Sequence, residues 1–208
     1  STEVFKMQLR YLREHFPVVS VEDAYECLSG KKLLRANVIV VTIDDGKECL
    51  LKNVLPIVKE CNIPVSIFQN TFEWSEGSVA KHRYLKPEEV RLMHESGITF
   101  GGHTRSHVNL ARLTKSNAFK EIGNNKDDLE AVLKDKVRFF AYPYGLKRHF
   151  NNVSVQCVKE AGYLAAFTAI NGSNYPGCDL FALKRTKIER ADSFGDFKNI
   201  VRGALDVW

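Results

Sequence analysis

The sequence has no long hydrophobic run. Val38 to Ile43 is typical of its apolar segments, and it is far shorter than the ~18 residues that a membrane-spanning helix needs. The N-terminal residues, Ser-Thr-Glu-Val, contain no basic segment followed by an apolar core, so no signal peptide is visible within the chain. Because the chain does not begin with Met, the sequence does not decide whether a leader was removed upstream. We expect no transmembrane segment in these residues.

Cysteine is scarce and irregularly spaced. The five cysteines lie at positions 27, 49, 61, 157 and 178 without any Cys-x-x-Cys motif, and an odd count leaves at least one thiol unpaired. Free, buried thiols are therefore expected. They favour a reducing compartment.

Low-complexity tracts, internal repeats and linker-like segments are missing as well. Apolar residues make up 44% and charged residues 26% of the 208 residues, which is ordinary for a globular protein. This length suits one well-buried core and is short for two. We predict a single domain over residues 1–208.

Positive charge is in excess but is not concentrated. The formal net charge is +5, yet the basic residues are scattered, with small clusters only at 31–32, Arg83 and 147–148. No basic run is interleaved with aromatic residues in the way typical of nucleic-acid-binding surfaces. A solvated surface explains the excess better than a nucleic-acid partner does.

Helix and strand patterns alternate along the whole chain. Helical spacing and capping signals predict helices at 5–16, 21–28, 48–60, 87–96, 114–133 and 153–160, and from Ser193 as far as Leu205. Apolar runs predict strands at 38–43, 64–68, 98–102, 137–142, 163–168 and 181–188, the first of them typical of a strand buried on both faces. This alternation predicts an α/β fold with a parallel sheet covered by helices. A (β/α) barrel is favoured, and a doubly wound open sheet is the alternative.

Two carboxylates follow the first predicted strand, in the run Thr-Ile-Asp-Asp-Gly at 42–46. Alone, such a run is ordinary turn chemistry, since Asp bonds its own backbone and Gly supplies a positive φ. Neighbouring side chains on a strand point in opposite directions, so a turn at Gly46 is what would let Asp44 and Asp45 reach one site.

Two imidazoles follow a later predicted strand, in the run His-Thr-Arg-Ser-His at 103–107. Their spacing of four residues can bring both rings onto one cation, although a pair at this spacing is common among six histidines. Thr104 and Ser106 could orient the two rings. Together the two runs indicate a catalytic metal site, because two His and one carboxylate leave coordination positions open for water, and a second carboxylate remains free to take a proton.

A third run, Phe-Ala-Tyr-Pro-Tyr-Gly at 140–145, is typical of a strand end followed by a turn. A rigid backbone here can also aim an amide N–H into a site. One such donor to a developing oxyanion contributes about 10² to 10³ in rate.

With these three runs in this order, the chain resembles the polysaccharide deacetylase family, the NodB homology domain of carbohydrate esterase family four. The resemblance spans Phe5 to Leu205, and it includes the segments at 5–12 and 161–163 that flank the motifs. The first motif is similar to the family's Thr-Phe-Asp-Asp-Gly, and the second fully matches its His-Ser/Thr-x-x-His.

The resemblance implies a role for each matching residue. Asp44 would be the general base, and the backbone N–H of Tyr144 would serve the oxyanion. The metal ligands would be Asp45, His103 and His107, and the third motif would place Tyr142 and Pro143 at the substrate. The implied fold is a distorted (β/α) barrel of about seven strands, and the implied reaction removes N-acetyl groups from an amino-sugar polysaccharide or glycan.

The chain departs from the family pattern at two places. Many members carry an Arg two residues before the Pro of the third motif, where this chain has Ala141, so Arg185 becomes the candidate for holding Asp44. A surface salt bridge is the simpler interpretation of Arg185. The family's C-terminal general-acid His is also missing, since no His follows His149. Some relatives carry an acid on a first strand upstream of the first helix, so we expect this chain to be N-terminally truncated and to lack that strand, with His149 as the internal fallback.

The sequence therefore predicts a metal-dependent glycan N-deacetylase. Two alternatives stay open: a catalytically impaired glycan-binding relative, and an amide hydrolase acting on a small molecule. Zinc is the expected metal, although imidazole and carboxylate ligands accept nickel and cobalt as well. The compartment stays open, because the family favours the cell envelope and the cysteines favour a reducing environment. Nothing in the sequence indicates an oligomeric state.

Overall fold

The protein is built around a curled sheet of five parallel strands. A computed structural model describes residues 1–33, 36–74 and 84–204, and the predicted positions Arg83 and Leu205 lie outside them. The strands are β1 (Val41–Asp45), β2 (Val65–Gln69), β3 (Thr99–Gly102), β4 (Phe139–Ala141) and β5 (Ala165–Phe167). None of the helices in the described part of the chain is both long and apolar enough to span a bilayer.

The strands follow one another across the sheet in chain order, from β1 to β5. A doubly wound sheet would reverse its strand order at a switch point, whereas a barrel continues in one direction. The α/β fold is therefore a half-barrel, consistent with the predicted distorted barrel. Isolated parallel bridges extend its two edges, from Val18 to Ile39 and from Phe167 to Leu183. The predicted count of about seven strands and the missing first strand are not confirmed.

Eight α-helices cover the described part of the sheet. They are α1 (Thr2–His15), α2 (Val21–Leu28), α3 (Cys49–Asn53), α4 (Leu55–Cys61), α5 (Pro87–Glu95), α6 (Lys115–Leu133), α7 (Asn152–Glu160) and α8 (Phe194–Val201). The predicted N-caps are present, since the side chains of Ser20 and Thr114 accept the amide hydrogens of Asp23 and Asn117. The predicted helix at 48–60 is divided at Val54, because Pro56, in the first turn of α4, has no N–H to continue the hydrogen bonding of α3.

The strand that is buried on both faces is β2, not β1. Every residue of β2 is buried, whereas the residues of β1 are partly exposed. The β-branched run at 38–43 therefore misled the prediction, because β1 lies at an edge of the five-strand sheet, where one side lacks a full neighbouring strand. The main core lies between the sheet and the helices and includes Ile67, Phe140 and Ile122.

The predicted strand at 181–188 forms only the single bridge at Leu183. Backbone bonds to the β5 side are nevertheless present, since the amides of Leu183 and Arg185 donate to the carbonyls of Ala166 and Ile170. The side chain of Asn174 binds the backbone of the intervening Lys184. Its Oδ1 accepts the amide hydrogen of Lys184 and its Nδ2 donates to the carbonyl of the same residue. The Asn174 side chain thus satisfies the Lys184 N–H and C=O groups, which a further neighbouring strand would otherwise pair.

All five cysteines are free, as predicted, but only Cys61 and Cys157 are buried.

Candidate metal centre and active site

The three motifs meet at the carboxyl ends of neighbouring strands. In the sheet register Asp45 lies beside Gln69, and Gln69 lies beside Gly102. His103 follows Gly102 directly, and the third motif continues from the end of β4. Parallel strands end at the same edge of a sheet, so residues far apart in the chain are brought to one place.

Strained backbone is concentrated in these motifs. Among the described non-glycine residues, six have a positive φ, and four of them belong to the motifs: Asp45 (73°), Thr104 (61°), His107 (54°) and Tyr144 (61°). The other two are ordinary left-handed helix caps, at Asn62 and Lys134. Side chains held in this region cost free energy, and such residues cluster at functional sites. The predicted turn is present, and it begins at Asp45, one residue before Gly46.

Asp45, His103 and His107 come together as one cluster. Each offers one ligand atom, and these atoms all lie within 4.8 Å of one another. Oδ1 of Asp45 is 3.3 Å from Nε2 of His107 and 3.7 Å from Nε2 of His103. The three residues that the sequence nominated as ligands therefore share a volume that a single cation could occupy.

The ring of His103 is fixed in the tautomer that a metal ligand needs. Its Nδ1 lies 2.8 Å from the carbonyl oxygen of Ala141. A carbonyl only accepts hydrogen bonds, so Nδ1 must carry the proton and Nε2 keeps its lone pair. Burial lowers the pKa of His103, which keeps the imidazole neutral.

Asp45 is a carboxylate at any neutral pH. Its contact with the His107 side chain lowers the pKa of Asp45 to about 2, against burial, which raises it. The cluster suits a divalent cation that takes N and O ligands. It offers a neutral imidazole with a free lone pair, a second imidazole and an ionised carboxylate. The set would leave positions open for water.

The second carboxylate, Asp44, is held by a guanidinium fork. Nη1 of Arg185 donates to Oδ1 of Asp44 at 2.7 Å, and Nη2 donates to Oδ2 at 2.8 Å. Further bonds from Arg185 to the Thr42 hydroxyl (3.0 Å) and the Thr168 carbonyl (2.8 Å) fix the fork. The side chain of Arg185 is only 15% exposed, so this contact is more than a mobile surface pair.

The electrostatics of Asp44 suit a proton acceptor. Burial is the largest influence and raises the pKa of its carboxyl, but the charge of Arg185, the neighbouring His103 and the hydrogen bonds from Arg185 together outweigh it, and the pKa lies below its ordinary value. Asp44 is therefore ionised at neutral pH and is available to accept a proton.

The residues of the third motif differ in exposure. Tyr144 is 54% exposed, and its ring lies edge-on to His107 with the centroids 4.7 Å apart. Tyr142 and Pro143 are buried, and the Tyr142 hydroxyl donates to the carbonyl of Phe181 at 3.0 Å. The Tyr142 side chain is thus part of the core, and contact of Tyr142 and Pro143 with substrate stays a prediction. The ring of His149 lies 5.1 Å from that of Tyr144.

The loop between the two histidines is held by Glu121 on α6. The carboxylate of Glu121 accepts from the amide and from the hydroxyl of Ser106, at 2.9 and 2.7 Å. The sequence analysis suggested that Ser106 orients an imidazole. Its hydroxyl instead donates to Glu121, and Ser106 thereby fixes the loop. Thr104 is fully buried, and its hydroxyl has no hydrogen-bond partner among the described residues.

Asn125 on α6 was missed by the sequence analysis. It is fully buried, and its Oδ1 accepts the amide hydrogen of His103 at 2.9 Å. Its Nδ2 donates to the carbonyl of Gln69 and to the hydroxyl of Thr71, so it joins the ends of β2 and β3. A Cβ at Gly102 would collide first with the Tyr163 hydroxyl and then with Oδ1 of Asn125, which explains the glycine before His103. The available signal was a polar residue on the apolar stripe of α6, between Ile122 and Leu129.

The family model described as "Polysaccharide deacetylase" matches residues 31–166, well over half of the chain. The chain belongs to the polysaccharide deacetylase family. The family predicted from the three motifs is confirmed, and this membership supports a deacetylase hydrolase. The Asp-His-His cluster is a site that could hold the metal ion on which this family generally depends.

Relatives of this polysaccharide deacetylase chain agree in fold. "Putative polysaccharide deacetylase YxkH" of Bacillus subtilis is 21% identical over 66% of the chain, and the match spans 46% of that relative's length. The structure of Streptococcus pyogenes deacetylase PplD has a TM-score of 0.84 at 24% identity, covering 97% of this chain and 85% of that one. IcaB from Ammonifex degensii has a TM-score of 0.86 at 22% identity, covering 99% and 89%. These structural likenesses establish a shared fold.

Proposed function

We propose that the protein is a metal-dependent hydrolase that removes N-acetyl groups from amino sugars of a polysaccharide or glycolipid. One observation carries the proposal: a three-ligand cluster of Asp45, His103 and His107 lies beside a separate carboxylate, Asp44, whose position and charge are fixed by Arg185. Ligation and proton acceptance need two carboxylates with different environments, and the first motif supplies both.

A bound divalent ion, which we expect to be zinc, would lower the pKa of water towards ~7 and polarise the amide carbonyl. Asp44 would take the proton from the attacking water, and the fork of Arg185 would keep its carboxylate aimed and ionised. The amide N–H of Tyr144, fixed by the left-handed turn at Tyr144 and Gly145, would donate to the developing oxyanion.

The structure of one relative is in keeping with this reaction. The Streptococcus pyogenes deacetylase PplD was solved in complex with acetate. Acetate is the product that our proposal expects from this chain.

Acetate release tests the proposal directly. We expect the protein to release acetate from N-acetylated oligosaccharides such as chitotetraose, and a chelator to stop the release until divalent metal is added back. An impaired glycan-binding relative would bind the oligosaccharide without releasing acetate. A small-molecule amidase would hydrolyse simple acetamides faster than any oligosaccharide. Either result would contradict the proposed function.

Arg185→Ala is expected to depress turnover and to spare metal content. Without the guanidinium charge the pKa of Asp44 rises, so the base is lost to protonation at a higher pH as the solution is acidified. The acid limb of the kcat/KM profile should therefore move to higher pH in Arg185→Ala, and less so in Arg185→Lys, which keeps the charge without the fork. Arg190→Met, at an exposed position, is the control. An unchanged profile in Arg185→Ala would reject this role.

A further inference from the structure

A groove of about 430 Å³ adjoins the third motif, and neither the metal cluster nor Asp44 is part of it. Its lining consists of Leu146, Lys147, Arg148, Ala169, Ile170 and Asn171. We call it the Leu146 groove. Three of these residues, Leu146, Ala169 and Ile170, are apolar, and two, Lys147 and Arg148, are exposed cations.

The Leu146 groove is connected to the proposed active site through two chain segments and the hydrogen bonds that they make. On one wall the chain runs from Tyr144 through Gly145 to Leu146, and the Gly145 carbonyl accepts the amide hydrogen of Ala169 at 2.9 Å. On the other wall Ala169 directly follows Thr168, whose carbonyl accepts from Arg185. The groove is thus fixed to the proposed oxyanion donor on one side and to the support of the base on the other.

The cations at the groove are not used by the fold. Lys147 and Arg148 are exposed, and no described carboxylate lies within ion-pair distance of either. Other exposed lysines do form ion pairs with carboxylates: Nζ of Lys115, for example, lies 2.8 Å from Oε1 of Glu160. Two adjacent cations without a carboxylate partner form a complementary surface for an anion.

We propose that the Leu146 groove is a subsite for a uronic-acid residue, so that the substrate is an anionic glycan in which the N-acetylated sugar neighbours a carboxylate-bearing sugar. This inference rests on the proposed function. The apolar lining residues suit the C–H face of a pyranose ring, and Lys147 and Arg148 suit a carboxylate on that same ring. Leu146 follows Tyr144 by two residues, and the exposed ring of Tyr144 packs against His107, so the groove and the metal cluster both adjoin the third motif.

Binding of two tetrasaccharides with equal ring number tests the subsite. The hyaluronan tetrasaccharide alternates N-acetylglucosamine with glucuronic acid, whereas chitotetraose is neutral. We expect the wild-type protein to bind the hyaluronan tetrasaccharide about tenfold more tightly, as two exposed ion pairs of up to ~1 kcal/mol each allow. The preference should shrink as salt is raised, because exposed charges are screened.

Charge reversal locates the preference. The double variant Lys147→Glu/Arg148→Glu should bring the ratio of the two dissociation constants to about one or below it. Lys52→Glu/Lys59→Glu changes the net charge by the same amount at exposed positions of α3 and α4, and it should keep the wild-type ratio. A preference that survives reversal at 147 and 148, or that is equally lost in the control, overturns the subsite.

The remaining outcomes separate the two proposals. Acetate release from both tetrasaccharides without a binding preference overturns the subsite and leaves deacetylation standing. A uronate preference without acetate release from either supports the subsite and counts against the proposed function. Tighter binding of a phosphorylated chitotetraose than of the hyaluronan tetrasaccharide overturns the uronate assignment in favour of a phosphorylated glycan.

Discussion

Asp45→Asn is expected to strip the protein of its divalent ion and, with it, of hydrolysis. The substitution keeps the shape of the side chain, and Asn tolerates the positive φ of 73° at this position. It removes the negative charge from a set whose other two members, His103 and His107, supply imidazole nitrogens. Since loss of an outer-shell partner alone costs ~10- to 100-fold in metal affinity, we expect loss of a ligand to cost at least about 100-fold.

Elemental analysis of the purified protein provides the measurement. We expect close to one divalent ion per wild-type chain and far less in Asp45→Asn, with part of the activity restored when metal is supplied in excess. Asp127→Asn makes the same chemical change on the exposed face of α6 and should retain both metal and activity. Full metal content in Asp45→Asn would show that the cluster is not the metal site.

The ligand cluster could be predicted because its signals are local. Asp45 and His103 follow apolar runs that end in turn residues, and a parallel sheet brings all such ends to one edge. Bounds of the strands were less accurate, and β1 ends two residues later than the run at 38–43 suggested. Asp44 and Asp45 are its last two residues, so the strand itself presents them.

The supports of the cluster could not be predicted in the same way. Asn125 contacts the amide of His103 across 22 positions of sequence, and nothing local to either residue specifies that pairing. The stripe of α6 did carry a signal, because a polar residue among buried apolar ones needs hydrogen-bond partners. Which groups those partners are depends on how α6 packs against β3, which is a property of the tertiary structure.

The role of Arg185 could be predicted from the sequence only in part. Its involvement was inferred from an absence, the Ala at position 141, and the structure places its fork on Asp44. The surrounding segment was expected to form a strand, and it forms only a single bridge, at Leu183. The contact therefore depends on a segment whose secondary structure was predicted incorrectly, which shows that side-chain chemistry and strand propensity carry separate information.

Asp44→Asn is expected to abolish turnover and to leave the metal in place. The amide is nearly isosteric with the carboxylate but cannot accept a proton from water at neutral pH, and loss of a general base costs about 10² to 10⁴ in rate. Because Arg185 would lose its anionic partner, some loss of stability is also expected, so folding of the variant must be checked by thermal unfolding. Acetate release and metal content are then measured on the same preparation.

Asp44→Asn and Asp45→Asn form a matched pair, since they make one chemical change at adjacent residues. Our assignment requires them to differ: the first keeps the ion and loses turnover, and the second loses the ion. Oligosaccharide binding should persist in Asp44→Asn, because this residue acts on water and not on the sugar. If both variants lost the metal, Asp44 would be a ligand and not the base. If Asp44→Asn retained wild-type turnover, proton acceptance would have to come from another group, and the held carboxylate would have only a structural role.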